Sequence, residues 1–446
     1  MIFPKLDPRK PFAYDTEADG LSWARGNRMF MFSISNEKND WYFDIRKTPS
    51  AIRWVNNLFS KHKAEVICHN ASFDYSMSLA SGIHVPIHLL DDTCIRASLV
   101  NENLYSYRLD DLAKKYLGAA KEDIWPELAA IFGGAPTLKA QVANLVNAPI
   151  ELVGRYAKKD TRLTYDLWVK QNQQCKREDL YAIFKFERDL MPSVIRNEIR
   201  GVRVDEERIE PTLKMVDKKI NKMQRTIDKL AGCEVNPNPC GQTHELLGVH
   251  SDVVGWYDDG TDKLAWYSND GTALETTPAG NACLDARALR RIGVQTPFAT
   301  KLLELRKWRK MRDTFIYNHV MGNMVDGRLY PSVNQTKGVN GGTGTGRFSY
   351  SKPALQQISK RDKELAEVIR PLFLPEEGCY WSSRDWGQSD FRWFVHYLGS
   401  NDLIEAYADD AYMDFHQLCA DITGIPRNAP FAGAPYAKAI NLGMIM

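Results

Sequence analysis

Four carboxylates in three short segments constrain this chain more than any other feature. Asp15 and Glu17 close the run Phe12-Ala13-Tyr14-Asp15-Thr16-Glu17, Asp74 ends Asn70-Ala71-Ser72-Phe73-Asp74, and Asp160 follows Tyr156-Ala157-Lys158-Lys159. An ionised carboxylate is costly to bury without a partner. Phe12 to Tyr14 reads as a strand, and side chains two apart on a strand share a face, so Asp15 and Glu17 can point at the same ion. Glu151 to Val169 reads as a helix, which places Tyr156 and Asp160 on one helix face. Asp74 stands where the apolar strand Glu65–Cys68 gives way to a helix. Hard divalent cations take oxygen ligands from carboxylates and substrate phosphates. Acids converging from distant segments are what two-metal phosphoryl transfer needs. A phenol beside a carboxylate can orient an attacking water.

Met29–Ile34 and Trp41–Phe43 read as further strands and Ala51–Phe59 as a helix. That order suits a mixed sheet covered by helices. The ordered set of acids, with Asn70 four residues before Asp74, resembles the proofreading 3′→5′ exonuclease domain of DNA polymerases, the type with a tyrosine in its last motif. Leu21 and the stretch Leu109-Asp110-Asp111-Leu112-Ala113-Lys114-Lys115-Tyr116-Leu117-Gly118 also fit, and the resemblance covers about Pro11 to Leu167. It implies a ribonuclease H-like fold. By it, Asp15, Glu17, Asp74 and Asp160 hold two metal ions, Tyr156 positions the water, and Leu21 and Asn70 contact the DNA end.

With 446 residues the chain is long for one core. Hydrophobic content of 44% and charged content of 26% are those of a soluble globular protein. No apolar stretch reaches membrane-span length, and the polar start Met1–Pro8 is no secretory leader, so a cytoplasmic location without membrane contact is expected. Cys68, Cys94, Cys175, Cys233, Cys240, Cys283, Cys379 and Cys419 form no C-x-x-C pair, which argues against zinc and for reduced thiols.

The pattern turns polar at Cys175–Glu178, the expected end of the first domain (1–178). A helical region (179–335) follows. Leu213, Val216, Ile220, Met223, Ile227 and Leu230 form one apolar stripe, expected to pair with a later helix, Lys301–Tyr317, and the lysines between them read as a solvated face. The later helix carries Lys301, Arg306, Lys307, Arg309, Lys310 and Arg312 against Glu304 alone before Asp313, and is a candidate for phosphate contact. Between the helices, Trp256–Tyr267 reads as an acidic hairpin with an Asp-Gly turn, a surface decoration within an insertion at about 253–281.

From Gly327 to Arg361 there is no acidic residue, while Arg328, Lys337, Arg347, Lys352, Lys360 and Arg361 stand among glycines, hydroxyls and amides. Such a segment suits a nucleic-acid backbone. Next, Cys379–Trp381 reads as a strand delivering Asp385 ahead of a helix. Together these stretches resemble the polymerase domain of family A DNA polymerases, the bacterial DNA polymerase I type also used by phages, over about Gly201 to the C-terminus. The fold expected is α/β plus α: the exonuclease layer, a helical thumb, and a partial palm and start of fingers (336–446). By the resemblance Asp385 binds catalytic metals. Gln388, Asp390, His416 and Lys438 contact the nucleotide, with Lys438 placed to protonate pyrophosphate. Arg347 and Gln356 contact DNA, and Arg312 is expected to do so on the charge of its basic helix.

The family has glutamate where Asp390 stands, arginine where Ala434 stands, with Arg427 the candidate substitute, and aromatics where Leu442 and Met446 stand. Its second palm carboxylate motif does not occur before Met446. The expected activity is therefore DNA-directed DNA polymerase with 3′→5′ proofreading, acting in replication with Mg²⁺ (or Mn²⁺), two ions per site. Its partners are primer–template DNA, single-stranded 3′ ends and deoxynucleoside triphosphates. The exonuclease site is complete and the polymerase site partial, which leaves a place for a second polypeptide carrying the rest. The alternatives are a stand-alone 3′→5′ exonuclease, the N-terminal subunit of a split polymerase, or a non-catalytic primer–template clamp.

Overall fold

Alternation along the first apolar run builds a strand with two unlike faces. In the computed structural model, residues 3–435 are described apart from 239–240, 257–260, 270, 294–296, 340, 361, 411–412, 426, 428–429 and 432–433. Strand β1 (Phe12–Ala18) runs antiparallel to β2 (Met29–Ser35), which pairs with β3 (Asp40–Asp44). After α1 (Ser50–Phe59), β4 (Val66–Cys68) joins β1 in parallel, and after α2 (Ala71–Ala80), β5 (Leu90–Asp92) joins β4, giving the order β3-β2-β1-β4-β5. This is the mixed sheet expected from the sequence.

Five helices follow: α3 (Thr93–Val100), α4 (Leu109–Leu117), α5 (Trp125–Phe132), the short α6 (Leu138–Gln141) and the long α7 (Ile150–Arg177). Phe12 and Tyr14 pack with Ala51, Val55 and Phe59 of α1, while Ala13, of opposite parity, packs with Tyr165 of α7. Each face of β1 therefore has its own helical cover. Helix α8 (Tyr181–Arg200) sends Phe184, Met191 and Ile195 into the same core as Phe12 and Tyr14, so this core draws on residues past the polar stretch at 175–178.

Beyond it lie β6 (Val202–Val204), α9 (Glu206–Ala231), α10 (Gly241–Leu246), β7 (His250–Trp256), β8 (Asp262–Tyr267), β9 (Ala273–Leu274), α11 (Ala286–Gly293) and α12 (Pro297–Lys310). The apolar stripe of α9 buries Leu213, Val216, Ile220 and Ile227 against Leu302, Leu305 and Trp308 of α12, while Leu230 is exposed. Past Lys310 the helix continues as a π-helix, Met311–Met321, instead of an α-helix to Tyr317. The hairpin β7–β8 forms as expected, its turn residues lying outside those described. Within the insertion expected at about 253–281, Leu274 is buried in the α9–α12 core and Trp266 packs against it, so the hairpin is seated on that core and is not a mere surface decoration. Strand β10 (Arg328–Leu329) and, after α13 (Lys363–Ile369), β13 (Phe373–Leu374) flank β6, and β11 (Ser332–Asn334) pairs with β12 (Ser349–Ser351).

Residues 375–446 form a second unit. It contains α14 (Ser389–Leu398), α15 (Asn401–Asp409) and α16 (Phe415–Thr423). The strand expected at Cys379–Trp381 does not form: the segment is irregular, with Tyr380 and Trp381 exposed. Among the described residues no helix is long and apolar enough to cross a membrane.

One buried ion pair ties the sheet to its helices. Arg96 of α3 makes a two-pronged contact with Asp91 of β5 at 2.6 and 2.8 Å, and its guanidinium lies 3.6 Å from the ring centre of Phe184 of α8. Trp168 of α7 also donates to Asp91 at 3.0 Å. Removing one partner of a buried pair strands the other's charge. Arg96→Met should therefore lower unfolding stability by about 3–5 kcal/mol in urea titration, and a loss near zero would show that Asp91 tolerates burial alone.

Candidate active site

The parity of β1 decides where its acids go. Asp15 and Glu17 share the face of Ala13, which is covered by α7. Tyr156 and Asp160 lie one helical turn apart on α7 and are both buried. One carboxylate oxygen from each of Asp15, Glu17 and Asp160 lies within 4.8 Å of the others. Glu17 and Asp160 are buried and Asp15 is half-buried.

Asp74 is held differently. Its Oδ1 accepts the Thr16 backbone N–H at 3.0 Å and the Thr16 hydroxyl at 2.7 Å. Strand β4 pairs with β1 only at Phe12 and Ala13, so the Thr16 amide lies beyond the parallel ladder and the first turn of α2 supplies its acceptor. The tight trio is thus Asp15, Glu17 and Asp160, with Asp74 beside it.

A cation that the sequence reading passed over sits among these acids. The Lys121 ammonium forms an ion pair with Asp160 Oδ2 and donates to the Tyr156 phenol oxygen at 3.0 Å. Its backbone N–H is fixed by Asp110 of α4 at 2.9 Å. No residue spacing flags a lone lysine 39 positions before its partner (160 − 121) in a lysine-rich chain. Asp92 was also missed. It accepts the backbone N–H groups of Asn70 at 3.1 Å, Ala71 at 2.8 Å and Cys94 at 2.7 Å, which fixes the left-handed Asn70 (φ 75°) at the start of α2. Its position before Thr93 and Cys94, as the cap of α3, was the available signal.

Crowding shapes the protonation of the group. Burial first, then the charge of Asp160, pushes the Asp15 carboxyl up to about 7, with Lys121 pulling it back. Burial raises Glu17 well above the carboxylate range, and Asp15 and Asp160 add to it. Burial likewise raises Asp74, and raises Asp160 against the pull of Lys121. Lys121 itself stays above the ordinary lysine range: burial opposes its charge, but Asp160 and Tyr156 outweigh it. Tyr156 is raised by burial and by Asp160, so it remains a neutral phenol.

The donor set fits a hard divalent cation. It offers carboxylate oxygens with no thiolate or imidazole. Asp160 Oδ1 is buried without a hydrogen-bond partner, an orphan that a cation would satisfy.

The other residues named from the sequence lie elsewhere. Leu21 is 77% exposed. Arg347 is exposed after a left-handed Gly346. Gln356 donates to Phe348 O at 2.7 Å and accepts from Tyr350 N at 3.2 Å, closing the loop around Arg347. Arg312 is engaged by acids from another helix and its own: Asp217 at 3.0 Å and Asp313 at 2.7 Å. Lys307 meets Asp362, an acid that only tertiary structure brings to the helix, at 2.5 Å, and Lys301 meets Glu304 of its own helix at 2.9 Å.

In the second unit Asp385 is exposed in the irregular segment and Asp390 lies in the first turn of α14. Gln388, left-handed at φ 56°, donates to Met413 O at 2.7 Å and accepts from Phe415 N at 3.0 Å. His416 is buried after the capping residue Asp414. Arg427 pairs with Asp414 at 2.7 Å. Lys438, Leu442 and Met446 lie outside the described residues.

Residues 206–446 match the model of DNA polymerase family A, and residues 2–175 match that of a 3′–5′ exonuclease. The chain is 44% identical to DNA polymerase DpoZ of Vibrio phage phiVC8 over all of its length and 71% of that protein. Identity to DNA polymerase DpoZ of Salmonella phage PMBT28 is also 44%, over 70% of that protein. DNA polymerase I of Borreliella burgdorferi is 26% identical over 92% of this chain and 42% of its own length. In fold the chain resembles the polymerase domain of Pol1 from M. smegmatis, solved in complex with DNA primer-template and dNTP. That match has a TM-score of 0.68 at 19% identity and covers 98% of this chain and 67% of that one. The chain belongs to DNA polymerase family A and carries the family's 3′–5′ exonuclease domain.

The raised Asp15 sets a pH test. A carboxyl whose folded pKa lies above its unfolded value adds stability below the unfolded value, and that stability is lost as pH rises through the folded one. For Asp15 the window runs from its ordinary 3.8 to about 7. With divalent ions chelated, Asp15→Asn should raise Tm at pH 8 and leave it nearly unchanged at pH 4. An equal effect at both values would contradict the crowding.

Proposed function

We propose that Asp15, Glu17 and Asp160, with Asp74 as fourth ligand, form the hydrolytic centre of the exonuclease domain and hold two divalent ions, Mg²⁺ or Mn²⁺. The observation that carries this reading is the approach of three carboxylate oxygens to within 4.8 Å beside a buried phenol. When bound, such ions lower the pKa of water and neutralise charge on the phosphodiester. The protein's own groups do the rest. Tyr156, kept neutral, orients the attacking water with its phenol. Lys121 fixes that phenol and Asp160 relative to each other. Asn70, held by Asp92, and the exposed Leu21 receive the terminal nucleotide of a single-stranded 3′ end.

In the same proposal residues 1–178 act as the exonuclease domain, 179–335 as the thumb, and 336–446 as the palm and the start of the fingers. Arg347, Gln356 and Arg312 serve primer–template DNA, with Gln356 acting by holding the loop of Arg347. Asp385 binds catalytic metal, and Gln388, Asp390, His416 and Lys438 serve the deoxynucleoside triphosphate. Gln388 does so by fixing the start of α14 against Phe415. The similarity to phage polymerases supports a location in the host cytoplasm.

The test is degradation of a labelled primer in Mg²⁺. The chain should shorten it from the 3′ end. Asp15→Ala with Glu17→Ala should abolish shortening and leave DNA binding by anisotropy intact, whereas retained shortening would show that the acids are misassigned. Lys121→Met should lower kcat about 10–100-fold, the usual cost of losing a group that orients ligands, and Lys121→Arg should recover most of it. Equal kcat in all three proteins would remove Lys121 from the site.

A further inference from the structure

One short stretch of chain gathers the contacts that tie the acids to the rest of the first unit. Past the π-helix the backbone turns at Asp326 and Gly327, left-handed at φ 48° and 70°, and runs through β10 and β11 to Gln335. The loop between β1 and β2, which carries Leu21, is fastened to it twice. The Arg25 guanidinium donates to Gly322 O at 2.5 Å, and the Trp23 ring meets Tyr330 edge-on with centres 5.0 Å apart. Helix α8 is fastened to it twice more. The buried Gln335 amide donates to the Glu187 carbonyl at 2.6 Å and to its carboxylate at 2.5 Å, and the Val333 N–H donates to Glu198 at 2.6 Å.

Glu198 stands apart because its two oxygens serve different elements. Oε1 takes the backbone N–H of Val333 in β11, and Oε2 takes the Ser72 hydroxyl in the first turn of α2. That turn lies between Asn70 and Asp74, and Ser72 O in turn accepts the Ser76 hydroxyl at 2.7 Å. Burial raises the Glu198 carboxyl above its ordinary range, opposed by these two neutral donors and by no cation. A carboxylate without a cation is a costly way to fill such a space. What it supplies is acceptors on both sides, and a hydrogen bond to an ionised acceptor is roughly twice as strong as a neutral one.

The far arm leads on to the loop of Arg347. Val333 is paired with Tyr350 of β12, the Tyr350 N–H is held by Gln356 at 3.2 Å, and Gln356 also donates to Phe348 O at 2.7 Å. A connected set of backbone and side-chain contacts thus runs from the turn of Asp74, through one carboxylate, to the segment proposed for primer–template contact.

We infer that Glu198 is a positioning residue that couples these two places. Duplex held by the Arg347 loop stiffens β11, and Glu198 passes that order to the first turn of α2, so that Asn70 and Asp74 are set while a duplex is engaged. The inference rests on the exonuclease reading above for its consequence in hydrolysis, and on the Ser72–Glu198–Val333 contacts alone for the coupling.

Two measurements on the full chain test it. The first is hydrogen exchange in EDTA, with a dumbbell duplex that has no strand end to enter the exonuclease centre. Its binding should slow exchange of the amides at 71–76 about threefold in the wild type, within the range found for coupled sites. Glu198→Ala and Ser72→Ala should each remove the slowing without changing Tm enough to unfold the chain or weakening the dumbbell's binding. Glu198→Gln, which can accept from Val333 and donate to Ser72, should restore it. No slowing in the wild type, or slowing that survives Glu198→Ala, overturns the coupling. The second is strand shortening in Mg²⁺. Glu198→Ala should lower kcat on a primer–template with a mismatched 3′ end about tenfold, the usual cost of losing a group that orients ligands, and on single-stranded dT12 only about twofold. Equal losses on the two substrates mark a local prop and overturn the coupling. A wild type that shortens neither substrate, yet shows the exchange effect, supports the coupling and overturns the exonuclease reading instead.

Discussion

Three carboxylates cannot share a space of 4.8 Å in a partly dry site without something positive between them. In this chain that constraint falls on Lys121, the one ammonium in contact with the group among the described residues. The lysine is itself buried enough for its charge to be opposed by desolvation, and the acids hold that charge in place. Each partner would be unfavourable alone, and together they are tolerated. The arrangement is only partly satisfied, since Asp160 Oδ1 has no donor and Asp15 is driven toward neutrality. A site in that condition gains from binding cations, and this links the local electrostatics to the metal-dependent hydrolysis proposed for it.

The scaffold makes such crowding affordable by dividing β1 between two helical covers. Odd positions face α7 and carry Asp15 and Glu17; Phe12 and Tyr14 pack under α1 and α8. The end of β4 leaves the Thr16 amide without a sheet partner, and Asp74 answers it. Register and strand length thus set both the trio and the separate hold on Asp74. The buried Arg96–Asp91 pair, with Trp168 and Phe184, keeps α7 and α8 seated on this sheet, so the position of Asp160 over Asp15 depends on contacts well away from the acids.

What could be read from the sequence follows from how local each signal is. Strand parity placed Asp15 with Glu17, and helical spacing placed Tyr156 with Asp160, because both periods are short. The mixed sheet covered by helices followed from the alternating apolar runs. Lys121 was invisible because its role comes from a loop anchored by Asp110, with no periodic relation to Asp160. The inward packing of Leu274 and Trp266 in the 253–281 insertion was equally hidden, since each stands among polar residues. The strand expected before Asp385 failed for another reason. Apolar composition at Tyr380 and Trp381 favours a strand only where a neighbouring strand pairs with it, and the described sheets do not include this segment.

Charge shows the same limit most clearly. Counted along the chain, the α12 region is the most basic helix and the obvious place for phosphate. In three dimensions Asp217 of α9 comes to Arg312 and Asp362, before α13, comes to Lys307, so part of that charge holds neighbouring helices. Arg108 and Lys115 stand in a less basic stretch, beside Asp110 and Asp111, yet those acids are turned to Lys121, Lys114 and Ser106. Positive potential available to a ligand is therefore set by which acids are already occupied and not by local composition. By that measure Arg108 and Lys115, beside the exposed ring of Tyr105, keep their charge available.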